Sequence, residues 1–341
     1  MRILVFGAGV QGSLYAARLF ARGHDVVLLA RGPRLAELRA EGVVLEDVTT
    51  GRRTTTPVPA VDRLAADDPY DLAIVAVRRD QIGGALPTLA AARAIAAILF
   101  FHNHAGGSGE LADAVGRERV LLGFPGAGGV VEHAVDRDGR PSAVVRYALV
   151  AQQPTTLGEP DGRSTPRLRR IAAELRTAGF RVASSRRMDA WLTAHAVFVT
   201  AVSGALYRAS GFEGADAARL AARPDEVARL GRAVREGFRA LGSRGLAAPP
   251  LNLRAIFDWA PAWMAVAYWS RFFSTPQADH VFARHARIAG AEMRALAGDL
   301  RRLLPDAAAR TPALASLWQG IDRYVERTTD AAAAGVHGGA A

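Results

Sequence analysis

The first residues with a chemical signature are the glycines near the amino terminus, in the run Gly7-Ala8-Gly9-Val10-Gln11-Gly12. This GxGxxG run follows an apolar strand and opens a helix, the setting of a dinucleotide-binding turn. There the first glycine permits a tight bend, the second lets the backbone approach a pyrophosphate, and the third lets helix pack on strand. The amino end of the helix adds partial positive charge. We therefore predict a dinucleotide-binding loop over residues 7–12.

The residue at the end of the second strand selects between the two nicotinamide dinucleotides. An NAD enzyme usually carries Asp or Glu there for the ribose hydroxyls, whereas this chain reads Leu28-Leu29-Ala30-Arg31. A guanidinium can bind a 2′-phosphate through two parallel hydrogen bonds. Arg31 therefore predicts NADP(H) as the cofactor. The alternative is an incidental surface arginine, because every cationic side chain of this sequence is an arginine.

A second group of candidates lies on the predicted helix 189–208, which begins DAWLTAHAVFVTAV. Thr193 and Thr200 share one face, where their hydroxyls could bind substrate. His195 lies about 200° from Thr193 around the helix axis, on the same side as Trp191 and other apolar residues. That position favours a packed core or interface histidine over a catalytic one, and both interpretations remain open.

Composition excludes several kinds of chemistry. The chain has no cysteine, which rules out disulfides, thiolate zinc sites and a cysteine nucleophile. It also has no lysine, so neither a Schiff base nor a lysine general acid is available. His280 and His285 are five residues apart, which is not the spacing of a helical metal pair, and no metal is predicted.

The overall charge and hydropathy narrow the class further. The formal net charge is +10, but the arginines are scattered and not interleaved with aromatic residues, so nucleic acid is not the expected partner. The sequence contains no run of 18 apolar residues, so no membrane span is predicted. The start of the chain lacks the features of a signal peptide. We expect a cytoplasmic enzyme.

The secondary-structure elements that must position these residues follow two different patterns along the chain. Short apolar strands alternate with amphipathic helices in the first half, which predicts an α/β fold with an N-terminal Rossmann-type doubly wound parallel sheet. Helical periodicity then dominates and predicts an all-helical C-terminal domain. We predict a NADP-binding domain over 1–183, a helical domain over 184–329 and a flexible tail over 330–341. The expected strands are Met1–Gly7, Asp25–Ala30, a hairpin over Val43–Thr56, Asp71–Val77, Ala94–Phe101, Val120–Gly123, Ala143–Ala151 and Thr155–Gly158. The expected C-terminal helices span 189–208, 215–221, 224–243, 251–272, 277–304 and 311–329.

The chain resembles the ketopantoate reductase (2-dehydropantoate 2-reductase) family. The similarity is carried by GAGVQGSLYAARL, GHDVVLLARG, TTLGEPDG and the helix of Trp191, and it extends over nearly the whole chain. The resemblance implies an N-terminal NADP-binding domain, a helical second domain and a site between them. It also implies hydride transfer from NADPH to a 2-keto acid.

The resemblance assigns roles to several residues of the first half. Arg78 and Gln81 stand where the family has a lysine near the cofactor and then a glutamine. His102-Asn103-His104 corresponds to a Gln-Asn-Gly loop, in which Asn103 would hold the nicotinamide or a substrate oxygen. The turn Gly123–Ala127 matches a cofactor-lining segment, which brings in Ala127.

In the second half, Ser274 matches a serine that contacts substrate, and Glu292 matches a glutamate that reaches the cleft, with a longer gap between them than usual. The family's proton-donating lysine and two substrate-binding asparagines are replaced by Thr193, Val197 and Ala201.

These residues predict an NADPH-dependent oxidoreductase acting on a small 2-keto acid or related carbonyl compound. Asn103, Thr193, His195 and Glu292 are the candidate catalytic residues, and Ser274 and Thr200 are the candidate substrate contacts. The proton would come from His102, His104, His195 or an ordered water. The alternative is a catalytically silent NADP(H)-binding sensor, and homodimer formation stays open.

Overall fold

The computed structural model describes residues 1–135, 139, 141–151, 153–246, 249 and 251–337. The chain forms two compact units, and the first consists of Met1–His102 and Ser108–Met188. The second consists of Asn103–Gly107 and the chain from Asp189 onward. The division predicted from the sequence is at residues 183/184, and the chain passes from the first unit to the second at Met188/Asp189. The sequence alone places Asn103–Gly107 in the first domain, whereas the structure groups it with the second.

Two sheets and five helices of more than a single turn build the described part of the first unit. The strands are β1 (Arg2–Phe6), β2 (Asp25–Leu29), β3 (Val43–Asp47), β4 (Arg53–Thr56), β5 (Ala60–Val61), β6 (Leu72–Val75), β7 (Ile98–Phe101), β8 (Val120–Phe124), β9 (Ala127–Val135), β10 (Pro141–Leu149), β11 (Thr155–Gly158) and β12 (Val182–Ser184). The helices are α1 (Val10–Phe20), α2 (Gly32–Glu41), α3 (Ile82–Ala91), α4 (Gly109–Val115) and α5 (Pro166–Thr177).

The larger sheet has the order β12-β11-β8-β7-β6-β1-β2-β5. Strands β5, β2, β1, β6, β7 and β8 are parallel, and β11 pairs antiparallel with β8. Every residue of β6 and β7 is buried, as expected for strands covered on both faces. Because β1 lies between β2 and β6, the strand order reverses there, which is the topological switch point of a doubly wound sheet. The predicted α/β class is confirmed.

The smaller sheet has the order β4-β3-β10-β9. Strands β3 and β4 form the predicted antiparallel hairpin. The strand predicted over Ala143–Ala151 is β10, which pairs parallel with β3 and antiparallel with β9. The sheet thus consists of two antiparallel strand pairs, β4-β3 and β10-β9, which are joined by the β3–β10 pairing between segments distant in sequence.

The regular elements described in the second unit are all helical. Its helices are α6 (Met188–Ala209), α7 (Ala217–Ala221), α8 (Pro224–Gly242), α9 (Leu251–Arg254), α10 (Ala262–Phe273), α11 (Pro276–Ala278), α12 (Arg284–Ile288), α13 (Gly290–Leu303), α14 (Ala307–Arg310) and α15 (Pro312–His337). Two π-helical turns, Ala255–Trp259 and Asp279–Ala283, interrupt the predicted helices 251–272 and 277–304. The tail predicted to be flexible is helical up to His337, and the rest of it lies outside the described residues.

Helix α6 forms the centre of the second unit's core. It is long and apolar enough to cross a membrane, with a mean hydropathy of 1.3 over its best 18-residue window, but 78% of that window is buried within the protein. Its neighbours in the core include Leu230, Leu296 and Trp318. This degree of burial is typical of a core helix.

Candidate functional site

The glycine loop of the first unit shows three different steric environments. Gly7 has a φ of +106°, and a Cβ there would lie 2.8 Å from the carbonyl oxygen of Ala76. At Gly12 a Cβ would lie 1.8 Å from the carbonyl oxygen of Gly7, so helix α1 packs closely on the turn. At Gly9 a Cβ would meet nothing within 4 Å. The first and third glycines are thus required by the protein itself, whereas the second leaves open space.

The amino end of α1 closes this loop with polar groups. The Nε2 of Gln11 donates to the carbonyl oxygen of Ala127 at 2.6 Å, which joins two of the predicted cofactor-binding residues. The Oε1 of Gln11 is buried and has no hydrogen-bond partner among the described residues. Gly9 is the residue before the helix, so the first N–H groups of α1 point toward the open side of the loop. The arrangement fits an anionic group with hydrogen-bonding oxygens.

Two arginines at the start of α2 add positive charge beside the loop. Arg31 is exposed at the residue before α2 and has no ion pair within the described part of the chain. Arg34 donates to the Ala8 carbonyl oxygen at 3.0 Å and to Ser13 Oγ at 3.1 Å. Sequence reasoning missed Arg34, although it follows Arg31 at the spacing that places two side chains on neighbouring faces of a helix.

A buried carboxylate holds Arg34 in place. Glu37 Oε2 lies 3.2 Å from Arg34 Nη1, and Glu37 Oε1 lies 2.7 Å from His133 Nδ1. Burial lowers the pKa of Arg34, and the contact with Glu37 opposes that shift. Arg34 therefore ties α2 to the backbone of the glycine loop, while Arg31 remains exposed toward solvent.

Arg78 is also engaged within the first unit. Its Nε and Nη2 each lie 3.1 Å from a carboxylate oxygen of Asp80, which is a bidentate ion pair. The charge that the resemblance places near a cofactor is thus present, and it is oriented by a neighbouring acid.

The second unit brings together two candidates that are 189 residues apart. Asn103 Nδ2 donates to Glu292 Oε1 at 2.9 Å, and the side chain of Glu292 is only 3% exposed. Asn103 Oδ1 is buried and has no hydrogen-bond partner among the described residues. Asn103 thus presents an unused acceptor and a second N–H, since an amide nitrogen carries two hydrogens.

A histidine that sequence reasoning did not assign to the site completes this group. His285 Nε2 lies 3.4 Å from Glu292 Oε2. The sequence held a signal for this contact, because residues seven apart return to the same face of a helix. The interpretation of His285 as a metal-pair candidate obscured it. In the described chain, no group of three His, Cys, Asp or Glu residues could hold a metal ion.

His195 lies near the same group but in an apolar setting. Its ring stacks on Trp191 with centroids 5.3 Å apart and an angle of 5° between the planes. Burial, with a smaller contribution from the charge of His285, lowers the pKa of His195 to about 3, and Glu292 opposes both effects. The ring is therefore neutral near pH 7 and does not carry the extra proton of a general acid. We do not retain His195 as the proton donor.

The two threonines of α6 serve the helix itself. Thr193 is buried and donates to the Asp189 carbonyl oxygen at 2.9 Å. Thr200 is 0% exposed, donates to the Ala196 carbonyl oxygen at 2.8 Å and accepts from Trp318 Nε1 at 3.2 Å. The prediction that Thr200 contacts substrate is corrected, because the core encloses it and its hydroxyl is already used.

The remaining candidates are placed less favourably for chemistry. Ser274 is exposed at the end of α10 and donates to the Arg271 carbonyl oxygen at 2.7 Å, which closes that helix. His104 is buried with its Nε2 against the carbonyl oxygen of Gly107. His102 is buried in the first unit with its ring edge-on to Phe100.

The first unit defines the fold class: it has a Rossmann-type doubly wound sheet, in one chain with a helical second unit. Residues 3–162 match the family model described as ketopantoate reductase PanE/ApbA. The family consists of oxidoreductases that use a nicotinamide cofactor.

Several solved structures share the fold of this chain. A PanE/ApbA family ketopantoate reductase from Ralstonia eutropha JMP134 is 19% identical, with a TM-score of 0.70 over 96% of this chain and 100% of that one. The 2-dehydropantoate 2-reductase from Methylococcus capsulatus is 20% identical, with a TM-score of 0.63 over 96% and 98% of the two chains. A D-mandelate dehydrogenase with NADH and anilino(oxo)acetate is 15% identical, with a TM-score of 0.68 over 96% and 99%. No curated protein matches the sequence significantly.

Proposed function

We propose that this protein is an NADPH-dependent reductase of a small 2-keto acid or a related carbonyl compound. The observation that carries the proposal is the glycine loop, in which Gly7 and Gly12 are closed by protein atoms and Gly9 alone faces open space. A side chain at Gly9 would fill the volume that a pyrophosphate needs. The loop lies at the switch point of the sheet, where such ligands bind in doubly wound folds.

The choice of NADPH over NADH is supported by the end of β2. No carboxylate stands at the position of Arg31, which is exposed and without an ion pair in the described chain. A guanidinium there favours a 2′-phosphate. Arg34 holds the glycine loop beside it through Ala8, so the two arginines would serve binding and positioning separately.

The substrate side of the proposal follows from Asn103 and Glu292. When bound, a reduced nicotinamide supplies a hydride to a carbonyl carbon. Asn103 Nδ2 donates one of its hydrogens to Glu292. Its second hydrogen can bind a carbonyl oxygen and stabilise the negative charge that develops there. Glu292 fixes the rotation of the amide, so that Asn103 Oδ1 is held as an acceptor for an N–H group. In this proposal Asn103 and Glu292 bind and orient the substrate, and no lysine is needed for that role.

A second candidate function is an NADP(H)-binding sensor without turnover. It is favoured by α6, where Thr193, Val197 and Ala201 replace the polar residues that the resemblance implies and are all buried. A sensor would keep the glycine loop and Arg31 and would need no proton donor.

Two measurements separate these functions. Calorimetry with NADPH tests the cofactor site, and loss of absorbance at the reduced nicotinamide band tests turnover with a panel of aliphatic and aryl 2-keto acids. We expect binding of NADPH and turnover of at least one 2-keto acid, with kcat/KM reduced roughly 100-fold in Asn103→Ala, the cost of losing one oxyanion donor. Binding without any turnover would support the sensor, and no binding would refute both.

A further inference from the structure

A half-exposed histidine rests on the buried carboxylate of the site. The side chain of His285 is 44% exposed and that of Glu292 is 3% exposed, and Nε2 of the first lies 3.4 Å from Oε2 of the second. The other carboxylate oxygen accepts from Asn103 at 2.9 Å. Solvent, His285, Glu292 and Asn103 are therefore arranged in series, with the imidazole as the water-facing end.

We propose that His285 is the proton-relay residue of this protein, which carries a solvent proton to Glu292 for delivery to the reduced carbonyl oxygen. The inference rests on the proposed reductase function. In the relay the Nε2–H bond of the imidazolium breaks as the Oε2–H bond of Glu292 forms. That O–H bond then breaks as the alcohol O–H forms, and water returns a proton to His285. Carbonyl, hydride and one proton thus give the alcohol, with charge balanced.

His102 and His104 are buried and lack the access to water that a relay needs. The remaining donors near the site are excluded by their own surroundings. The sequence contains no lysine, and the neutral ring of His195 has no proton to spare near pH 7. Tyr207 is fully buried and donates to the Ala286 carbonyl oxygen at 2.6 Å. Histidine is the side chain whose charge ordinarily changes near neutral pH. Of these groups, His285 alone combines contact with the carboxylate and access to water.

The charges around His285 favour its pairing with Glu292. The charge of Glu292 acts on both His195 and Tyr207 of α6, and His195 is neutral. On its own stretch of chain, Arg284 and Arg287 lie 3.2 Å and 2.5 Å from the carboxylate of Asp279. Both arginines are thus paired with Asp279. The carboxylate that His285 contacts is that of Glu292.

The helix geometry presents His285 to Glu292 across a break. His285 belongs to α12 and Glu292 to α13, and Ala289 between them leaves helical geometry with φ −108° and ψ 22°. The π-helical turn Asp279–Ala283 directly precedes α12. Such turns are frequent at functional sites, and here one sets the rotation at which His285 enters the group.

The test compares three variants of the full chain. His285→Gln keeps a polar side chain that cannot titrate, His285→Ala leaves room for a small base, and His280→Gln is the matched control. His280 is partly exposed, and its ring contacts the Pro276 carbonyl oxygen. The readouts are NADPH affinity, the single-turnover rate of NADPH oxidation, and the pH profile of that rate.

We expect His285→Gln to slow turnover by about 10²- to 10⁴-fold, the usual contribution of a positioned proton donor, with unchanged NADPH affinity. The pH dependence near neutrality should disappear, and added imidazole should restore part of the rate in His285→Ala. A merely structural role would predict neither effect. Turnover in His285→Gln within about threefold of wild type, with the same pH profile, would overturn the relay while the reductase function stands. Wild-type protein that binds NADPH without turnover would overturn both.

Discussion

The loop has room for an added methyl group at Gly9 but not at Gly12. Alanine substitutions at these two positions test this difference directly. At Gly9 the backbone is extended, with φ −73° and ψ −164°, and a Cβ meets nothing within 4 Å. Gly9→Ala should therefore change the free energy of unfolding by no more than about 0.5 kcal/mol. At Gly12 a Cβ would lie 1.8 Å from the Gly7 carbonyl oxygen, so helix or turn must shift.

Cofactor affinity should respond in a different pattern. In Gly9→Ala the methyl group occupies the space beside the amino end of α1, and a pyrophosphate would lose at least one hydrogen bond to a charged group. Such a bond contributes about 1.5–3 kcal/mol, which corresponds to a roughly 10- to 100-fold higher Kd for NADPH. Gly12→Ala should lose about 1–3 kcal/mol of stability through overpacking, or roughly 2 to 10 °C in Tm.

The measurements are thermal unfolding and calorimetric titration with NADPH. Gly231→Ala, on α8 of the second unit, is the control because its Cβ also meets nothing within 4 Å, and NADPH affinity should not change. A folded Gly9→Ala protein with wild-type affinity would refute the assignment of that space to the cofactor. An unfolded Gly9→Ala protein would refute the steric reasoning itself.

Four further substitutions, one of them combined with a change of pH, give distinct outcomes. Arg31→Ser should raise the Kd for NADPH roughly 10- to 100-fold by loss of a charge-assisted pair and leave that for NADH unchanged, as measured by calorimetry. Thr200→Val leaves the buried Trp318 N–H without its acceptor and should cost about 1–3 kcal/mol in urea unfolding, whereas Ser274→Ala should be neutral in both stability and kcat/KM. Burial lowers the pKa of His195 from 6.5 to about 3, so the folded protein binds fewer protons than the unfolded chain between these values. Stability should then fall as pH drops below 6.5, by about 1.4 kcal/mol per pH unit, and less steeply in His195→Gln; equal slopes would contradict the assignment.

The strands of the larger sheet were predictable from the sequence where a whole strand is buried and therefore appears as a short, continuous apolar segment. Strands β1, β2, β6 and β7 are short apolar segments that alternate with helices, and this pattern alone indicates a covered parallel sheet. The pairing of β10 with β3 could not be predicted in the same way, because its register depends on partners a hundred residues away. Helices α3 and α4 went undetected because they are short and rich in glycine and alanine, with weak periodicity.

The helical unit shows the same limit at its breaks. Pro261 marks the start of α10 in the sequence, since proline cannot continue a helix, and the predicted helix 251–272 overlooked it. The break at Ala289 has no comparable signal, because alanine is the strongest helix former.

The candidate site was predictable in its members more than in its contacts. Asn103 and Glu292 were both identified, but their hydrogen bond joins segments 189 residues apart. Thr200 was misassigned because helical phase alone does not reveal which face meets the core. Its partner, Trp318, comes from a helix more than a hundred residues later.

The π-helical turn Asp279–Ala283 has a consequence for how this lineage could change. An extra residue inside a regular α-helix rotates everything beyond it by about 100°, whereas a π-turn absorbs that residue in one wider loop of backbone. The stretch between Ser274 and Glu292 can therefore grow by single insertions while Glu292 keeps its hydrogen bond to Asn103. Deleting one residue from 279–283 would convert the turn to a regular α-helix, and the residues on either side of it would keep their phase. Length variation at this point is thus a change that evolution could accept without rotating Glu292 away from Asn103 and without rebuilding the core.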